Sequence, residues 1–405
     1  AVISINPSRD GLLLSSVMSR IFGFDFARAF AISLVVLAHL HQGSQEIGIY
    51  GVELFFALSG FLIGTILYRC IPDGKPWNLS GVRNFWARRW WRTLPAYYLF
   101  LVVAVVHHSM QGELPDGGLA GVLPYLLFVP NLMSPNEVFY DVSWSLCIEE
   151  GFYLVFPLLI LCFHRLTESR LLSFVSSLTV IVLGCFVLRE VAFAAYPAAQ
   201  VRVISLPRLD AIGYGVAMAV LMQVKDFSLR TRVGLAFVGG SILACIFVAH
   251  FLERPLDHAL WFFRIGLFAM PFAFSLMMPL LAVWNQLPAV CERFRRPVTA
   301  ISLWSYSIYL CHHTVMMAIY PLFGVYREHF AVKMVTKVVA IVAILLIARF
   351  VYKHFESRLT RLRPAERHVN DTLPLQEGVE IPGHTGGTRL QAAPSTSKKV
   401  GSIAE

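Results

Sequence analysis

Ten apolar runs of about 17 to 25 residues recur along the chain, the length at which a helix rising about 1.5 Å per residue crosses the roughly 30 Å hydrocarbon core of a bilayer. They cover residues 26–42, 49–68, 90–108, 148–164, 171–188, 206–222, 233–250, 260–284, 298–322 and 331–351. A shorter run, 119–131, is interrupted by Pro124 and Pro130, and proline inside a helix removes a hydrogen bond and bends or ends it. The pattern predicts an all-α polytopic membrane protein, with the short run as a re-entrant or interfacial segment.

Loop charge fixes the expected topology, because Lys and Arg collect on the cytoplasmic side of a membrane protein. Between the second and third runs stand Arg69, Lys75, Arg83, Arg88 and Arg89 against Asp73, with Arg92 just inside the third; the next loop carries Glu113 and Asp116. Further basic segments lie at 164–170, 225–232, 292–296 and 353–367. All of them share one side only if run 119–131 does not cross. The expectation is therefore ten spans with both termini cytoplasmic.

Composition agrees. The 405 residues are 57% hydrophobic and 15% charged, with a mean hydropathy of +0.63, too apolar for an ordinary soluble fold of that length. The net charge of +9 follows from basic loops and gives no reason to expect nucleic acid. Seven cysteines show no CxxC spacing and sit mostly in apolar runs, where Cys acts as a small hydrophobe, so neither zinc nor a disulfide framework is expected. The first 24 residues lack a short apolar core followed by a small-residue cleavage site, and are expected to lead uncleaved into the first span. After Arg367 the sequence is rich in Thr, Gly, Pro, Ser and Gln without apolar period, which predicts a disordered tail. The expected organisation is a cytoplasmic segment at 1–23, a membrane domain at 24–356, and a basic, then disordered, cytoplasmic tail at 357–405.

Ionisable residues at membrane depth are costly unless paired or solvated, and so mark candidate sites. Arg28 and His39 stand eleven residues apart in the first run, about three helical turns and about 16 Å along one face. Arg28 is expected near the cytoplasmic surface and His39 well inside the membrane. In the bland reading Arg28 snorkels to headgroups and His39 makes a structural hydrogen bond; in the functional one Arg28 binds an anion while His39 exchanges a proton.

FWARRWWRTLPAYY brings Arg88, Arg89 and Arg92 among Trp86, Trp90 and Trp91. An interfacial belt has that composition, and so does a polyphosphate site. DVSWSLCIEEGFYLVFP places Glu149 and Glu150 at or just inside the outer end of the fourth span. Adjacent helical positions point about 100° apart, so at most one of the two faces a given cavity squarely. In SLPRLDAIGYG, Arg208 and Asp210 are candidates for pairing with each other. SLWSYSIYLCHH carries Ser305, Tyr306, Tyr309, His312 and His313 into the ninth run.

These blocks, FDFARAFAISLVVLAH, GVELFFALSGFLIG, RRWWRTLPAY, WSLCIEEGFYLVFP, RLDAIGYG and SYSIYLCHH, resemble in order the signatures of the acyltransferase-3 membrane O-acyltransferases, over roughly residues 24–356. The resemblance implies a ten-helix enzyme of the bacterial cytoplasmic membrane that moves an acyl group, commonly acetyl, from cytoplasmic acyl-CoA to a hydroxyl of an envelope or exported glycan such as lipopolysaccharide O-antigen or exopolysaccharide. It assigns the Arg-x10-His motif to Arg28 and His39, the Arg-x-x-Arg pair to Arg89 and Arg92 with Arg88 beside them, and the acidic block to Glu149 and Glu150. Glu53, Ser59, Trp144, Arg208, Asp210, Ser305, Tyr309 and His312 fall on supporting positions. The expected roles are Arg28, Arg88, Arg89 and Arg92 on the coenzyme A phosphates and His39 as general base or transient acyl carrier, assisted by Glu149 or Glu150.

Two positions depart from the family pattern: Glu53 replaces the usual Asp, and HFES near Glu356 replaces the usual Glu-Pro. The chain is expected to be the stand-alone form, without an appended esterase-like domain and without a metal. The competing reading is a transporter or flippase of a lipid-linked sugar, whose buried Arg, His and Glu would line a substrate or proton path.

Overall fold

The computed structural model describes residues 20–40, 45–135, 139–252, 258–287, 289–326 and 329–365. The expected N-terminal segment before residue 20 and the expected disordered tail from residue 366 lie outside the described residues. Every one of the ten apolar runs forms a helix: α1 (Phe22–Leu40), α2 (Gln45–Cys70), α3 (Leu79–Gln111), α4 (Ser143–Thr167), α5 (Arg170–Ala195), α6 (Asp210–Val224), α7 (Leu229–Leu252), α8 (His258–Leu281), α9 (Arg295–Ile319) and α10 (Phe330–Val351). No strand occurs among the described residues. The protein is an all-α, multi-pass membrane protein.

Among the described residues eight of these ten helices are, by length and composition, long and apolar enough to cross a membrane. The exceptions are α6, with 15 residues, and α9, which has 25 residues but carries serines, tyrosines and histidines along its length. Both lie inside the bundle, α6 largely buried against α2, α5 and α8, and α9 against α1, α3 and α10. Helix α6 falls short in length, whereas α9, largely surrounded by protein, need not present an apolar face to lipid, which is why its composition departs from that of a lipid-facing span. By contrast, Leu183, Val187 and Val191 on α5 and Leu346 and Phe350 on α10 are exposed apolar side chains of the outer surface.

Run 119–131 does not form a span. It folds into a 3-10 turn (Gly118–Val122) and a single helical turn (Leu123–Leu126). The hydroxyls of Tyr97 and Tyr98 on α3 donate to the Tyr125 and Leu126 carbonyls at 2.9 and 3.0 Å, pinning the segment to the bundle.

Helix α3 extends farther back than its apolar run. Asn78 caps it, its side chain accepting from the Gly81 amide at 3.3 Å, and Gly112 ends it in the left-handed region at φ 74°. The basic cluster therefore lies on helix, which sets Arg89 and Arg92 three residues apart on one face. Close approach of α2 and α6 depends on glycine: a Cβ at Gly60 would meet the Ile212 carbonyl oxygen at 2.0 Å, and one at Gly215 would meet the Ala57 oxygen at 2.1 Å. Small residues at such crossings let backbones pack where lipid offers no hydrophobic drive to associate.

Two ion pairs are sealed in the same region. Glu53 on α2 pairs with Arg208, both fully buried, and Arg208 also donates to the Leu267 carbonyl on α8. Arg189 on α5 pairs with Asp210 at 2.8 Å. The expected Arg208 to Asp210 pair is thus replaced by two separate ones. Positions two apart in a helical turn point about 200° apart, so Arg208 turns to α2 and Asp210 to α5.

Candidate active site

A cavity enclosing about 820 Å³, part of it open to the outside, lies among α1, α2, α3, α4 and α9. Its wall brings together eight of the residues singled out from sequence: Arg28, Ser59, Arg89, Arg92, Glu149, Ser305, Tyr306 and Tyr309. Thr93 and Ser145 complete its polar lining.

Tyr153, which sequence reasoning missed, organises the centre. Its hydroxyl donates to Glu149 Oε2 at 2.8 Å and accepts from Arg89 Nη2 at 2.5 Å, while the Ser59 hydroxyl lies 2.5 Å away. The Arg89 guanidinium also covers the Tyr153 ring, 4.2 Å from its centroid. A phenol donates once and accepts twice, so this arrangement uses its full capacity. The i, i+4 spacing of Glu149 and Tyr153 was the available signal, but Tyr153 reads as one more aromatic in an apolar run.

Glu149 and Glu150 were expected at or just inside the outer end of the fourth span, across the membrane from the arginines. They lie instead in the second turn of α4, beside them. Helices α3 and α4 run antiparallel, so that Arg89 meets Tyr153 and Thr93 meets Glu150, whose Oε1 accepts from Thr93 Oγ1 at 2.9 Å. Of the two carboxylates, Glu149 lines the cavity and Glu150 is buried behind it against α3. Trp86 donates its indole N–H to the Tyr153 carbonyl at 2.9 Å and so ties α3 to α4.

The other arginines divide. Arg28 is half-buried, 3.7 Å from Asp25. Asp25 was also missed: it is buried, accepts from Ser302 Oγ at 2.9 Å and takes a two-pronged contact from Arg20, locking α1 to α9. Arg92 faces the cavity and forms no ion pair among the described residues. Arg88 turns away, donating to the Pro364 carbonyl at 2.7 Å, and is not part of the wall.

His39 does not line the cavity. It is the last residue but one of α1 and about a third exposed, with its side chain at 32%, which places it at the helix end and not deep within the bundle. Its Nδ1 lies 2.8 Å from the Val35 carbonyl; a carbonyl can only accept, so Nδ1 carries the proton and Nε2 presents its lone pair. Nε2 is 4.0 Å from Asp141, and Nε2 of His313 is 3.9 Å from the same carboxylate. The His39 ring lies 4.8 Å from that of His312 and 5.8 Å from that of His313, centroid to centroid. His312 is fully buried, and its Nδ1 donates to the Tyr309 carbonyl at 2.7 Å. Asp141 carried no signal in the sequence beyond being an isolated acid in a loop.

Tyr309 connects the two groups. Its hydroxyl lies 2.5 Å from Ser145 Oγ at the cavity wall, and its ring is 5.8 Å from that of His312. Polar groups thus run along the bundle from Arg28 and Arg92, through Arg89, Tyr153 and Glu149, to Ser145 and Tyr309 and then the histidines. Trp144 packs under the Arg202 guanidinium, 4.7 Å from its ring, outside the cavity wall. Glu53, Arg208 and Asp210 also stand outside it, in the buried pairs. Among the described residues no group of three or more His, Cys, Asp or Glu is arranged to hold a metal.

The profile of the acyltransferase domain matches residues 21–352. The chain belongs to the acyltransferase-3 family. Among curated proteins similar to this acyltransferase-3 chain, the O-acetyltransferase OatA of Staphylococcus aureus is 27% identical over 312 residues, covering 73% of this chain and 50% of its own length. The putative peptidoglycan O-acetyltransferase YrhL of Bacillus subtilis is 34% identical over 165 residues, covering 36% of this chain and 25% of YrhL. The peptidoglycan O-acetyltransferase OatA of Listeria monocytogenes is 31% identical over 157 residues, with the same two coverages, 36% and 25%. The acyltransferase-3 chain therefore spans half the length or less of these relatives. No solved structure gives a significant match.

Proposed function

We propose that this protein is a membrane O-acetyltransferase that takes an acetyl group from acetyl-CoA at the basic end of the bundle and delivers it to a hydroxyl of an envelope glycan presented at the histidine end. The carrying observation is the polar line of side chains that begins at Arg28 and Arg92 and ends at His39. The family supplies the acyltransferase reading, and the relatives named as peptidoglycan O-acetyltransferases favour a glycan acceptor. By the distribution of basic loops, the arginine end faces the cytoplasm, where acyl-CoA is, and so do both termini.

In this mechanism Arg28, Arg89 and Arg92 bind the donor's phosphates and carbonyl-bearing arm by charge-assisted hydrogen bonds. Tyr153 and Glu149 hold Arg89 in place. At the other end His39 Nε2 removes the acceptor hydroxyl proton while Nδ1–H stays fixed on the Val35 carbonyl. The acceptor oxygen then bonds to the acetyl carbonyl carbon, the carbon–sulfur bond breaks, and the coenzyme A thiolate leaves with the electron pair. The proton held by His39 is released to the departing sulfur or to solvent. Asp141 stabilises the imidazolium formed meanwhile, acting through His39 as a positioning residue.

Arg89→Ala tests the donor half of this reading. Titration of the purified protein with acetyl-CoA is expected to show an affinity loss of about tenfold or more, since one charge-assisted hydrogen bond is worth about 1.5 to 3 kcal/mol, with membrane insertion unaffected. Unchanged affinity would reduce the cluster to an interfacial anchor.

A further inference from the structure

A second, wider cavity, about 1250 Å³ with the space open to solvent at its mouth included, lies between the start of α1, Arg92 on α3 and the segment that follows α10. It shares Arg28, Leu62 and Arg92 with the inner cavity, so these residues form the neck between the two. Five arginines line it, Arg20, Arg28, Arg92, Arg361 and Arg363, against two carboxylates, Asp25 and Glu356. Both carboxylates are engaged: Asp25 with Arg20 and Ser302, and Glu356 with the Ser307 hydroxyl at 2.8 Å. Arg92, Arg361 and Arg363 form no ion pair among the described residues. Arg361 and Arg363 are exposed, just past the helical turn Ser357–Thr360 that continues α10.

Apart from Arg20, which is held by Asp25, the arginines fall into two pairs, Arg28, itself 3.7 Å from Asp25, with Arg92 at the neck, and Arg361 with Arg363 at the mouth. A ligand that satisfies both pairs needs two separate anionic groups at one end and an uncharged remainder thin enough to pass the neck. Coenzyme A thioesters have that form: a diphosphate, a separate 3′-phosphomonoester on the ribose, and a neutral arm ending in the thioester. We propose that Arg361 and Arg363 bind the 3′-phosphate of the donor nucleotide while Arg28 and Arg92 hold the diphosphate, so that the segment after α10 selects the phosphorylated nucleotide. This rests on the reading of the inner cavity as the acyl-CoA site. Neither arginine belongs to the blocks that carry the family resemblance; in the sequence they are two members of the basic segment 353–367.

The test uses the full-length protein in nanodiscs of zwitterionic lipid and compares acetyl-CoA with acetyl-3′-dephospho-CoA by direct binding. The wild-type protein is expected to prefer acetyl-CoA by about tenfold or more. The double variant Arg361→Ala/Arg363→Ala is expected to bind both ligands alike, at the wild-type affinity for the dephospho compound, and Lys at both positions is expected to restore part of the preference. These side chains are exposed and outside the packed helices, and retained binding of the dephospho compound shows that the variant is folded. A double variant that keeps the full preference overturns the assignment and leaves the acyl-CoA reading standing. Wild-type protein that binds neither ligand overturns both. If the substitutions change only retention on vesicles containing phosphatidylglycerol, the arginines serve lipid headgroups and the proposal is wrong.

Discussion

Cells carrying His39→Ala in place of the wild-type chain are expected to lose glycan O-acetylation by about a hundredfold to ten-thousandfold, the contribution of a positioned general base, at unchanged protein level. The geometry separates these two readouts. His39 sits at the end of α1, a third exposed, and its hydrogen bond returns to its own helix at Val35, so the fold does not depend on its side chain. What disappears is the Nε2 lone pair that the proposal assigns to the acceptor hydroxyl proton; His312 is fully buried behind it. Asp141→Asn is expected to fall between wild type and His39→Ala, lowering kcat by about tenfold while leaving the KM for acetyl-CoA alone, because a carboxylate near 4 Å stabilises an imidazolium by about 1 to 4 kcal/mol. Ester-bound acetate released from purified envelope glycan by mild base measures both. Normal acetylation with His39→Ala at normal expression would remove His39 from the chemistry.

Arg208→Ala is expected to destabilise the protein by about 3 to 5 kcal/mol, the usual effect of leaving one member of a buried ion pair without its partner. Glu53 and Arg208 are both fully buried, and Arg208 also joins the turn before α6 to α8 through the Leu267 carbonyl. Its removal strands the fully buried Glu53 carboxylate without its partner. Thermal unfolding of detergent-solubilised protein should show a large fall in midpoint or no folded fraction. The double replacement Glu53→Gln/Arg208→Met is expected to recover part of the loss, because neither residue then carries a buried charge. An unchanged unfolding midpoint for Arg208→Ala would contradict the structural role and return Arg208 to the list of candidate substrate ligands.

Helix positions were legible in the sequence because the length of a lipid-facing span is dictated by the bilayer, and apolar side chains mark it residue by residue. Runs 206–222 and 298–322 also form helices, α6 and α9, although α6 is short and α9 is polar for a lipid-facing span. Their polar residues do not mark lipid-exposed surface, and the buried Ser302, Ser305 and Ser307 of α9 make hydrogen bonds to Asp25, their own helix and Glu356. Of the site, the intramembrane charges were identifiable because each is costly unless employed. Their partners were not. Arg208 and Asp210 stand two residues apart and invite pairing with each other, yet helical geometry sends them to Glu53 and Arg189 on different helices. Glu149 and Glu150 were placed apart from the arginines because hydropathy alone does not tell how far into a helix a carboxylate sits when a neighbouring guanidinium offsets its burial. Tyr153 and Asp141 could be found only in three dimensions: one is an aromatic among many, the other a single acid in a loop, and each acquires meaning from what α3, α1 and α9 bring to it.

Arg28 and His39 share a helix, and the expectation that they mark the two ends of one route rests on that. The structure adds what lies between them, a cavity lined by Ser59, Arg89 and Glu149, and shows that His39 stands beyond its wall, connected through Tyr309 and His312. Donor and acceptor would then enter from opposite ends, which keeps acyl-CoA away from the glycan until both are bound.

The most direct measurement is transfer of radiolabelled acetyl from acetyl-CoA by the purified protein in proteoliposomes supplied with an envelope glycan acceptor. The account predicts label in the glycan that mild base releases, stoichiometric appearance of free coenzyme A thiol, and loss of both with His39→Ala and Arg89→Ala. Protein that neither binds acetyl-CoA nor releases its thiol, while moving a lipid-linked sugar across the same vesicles, would contradict it and establish a transporter instead.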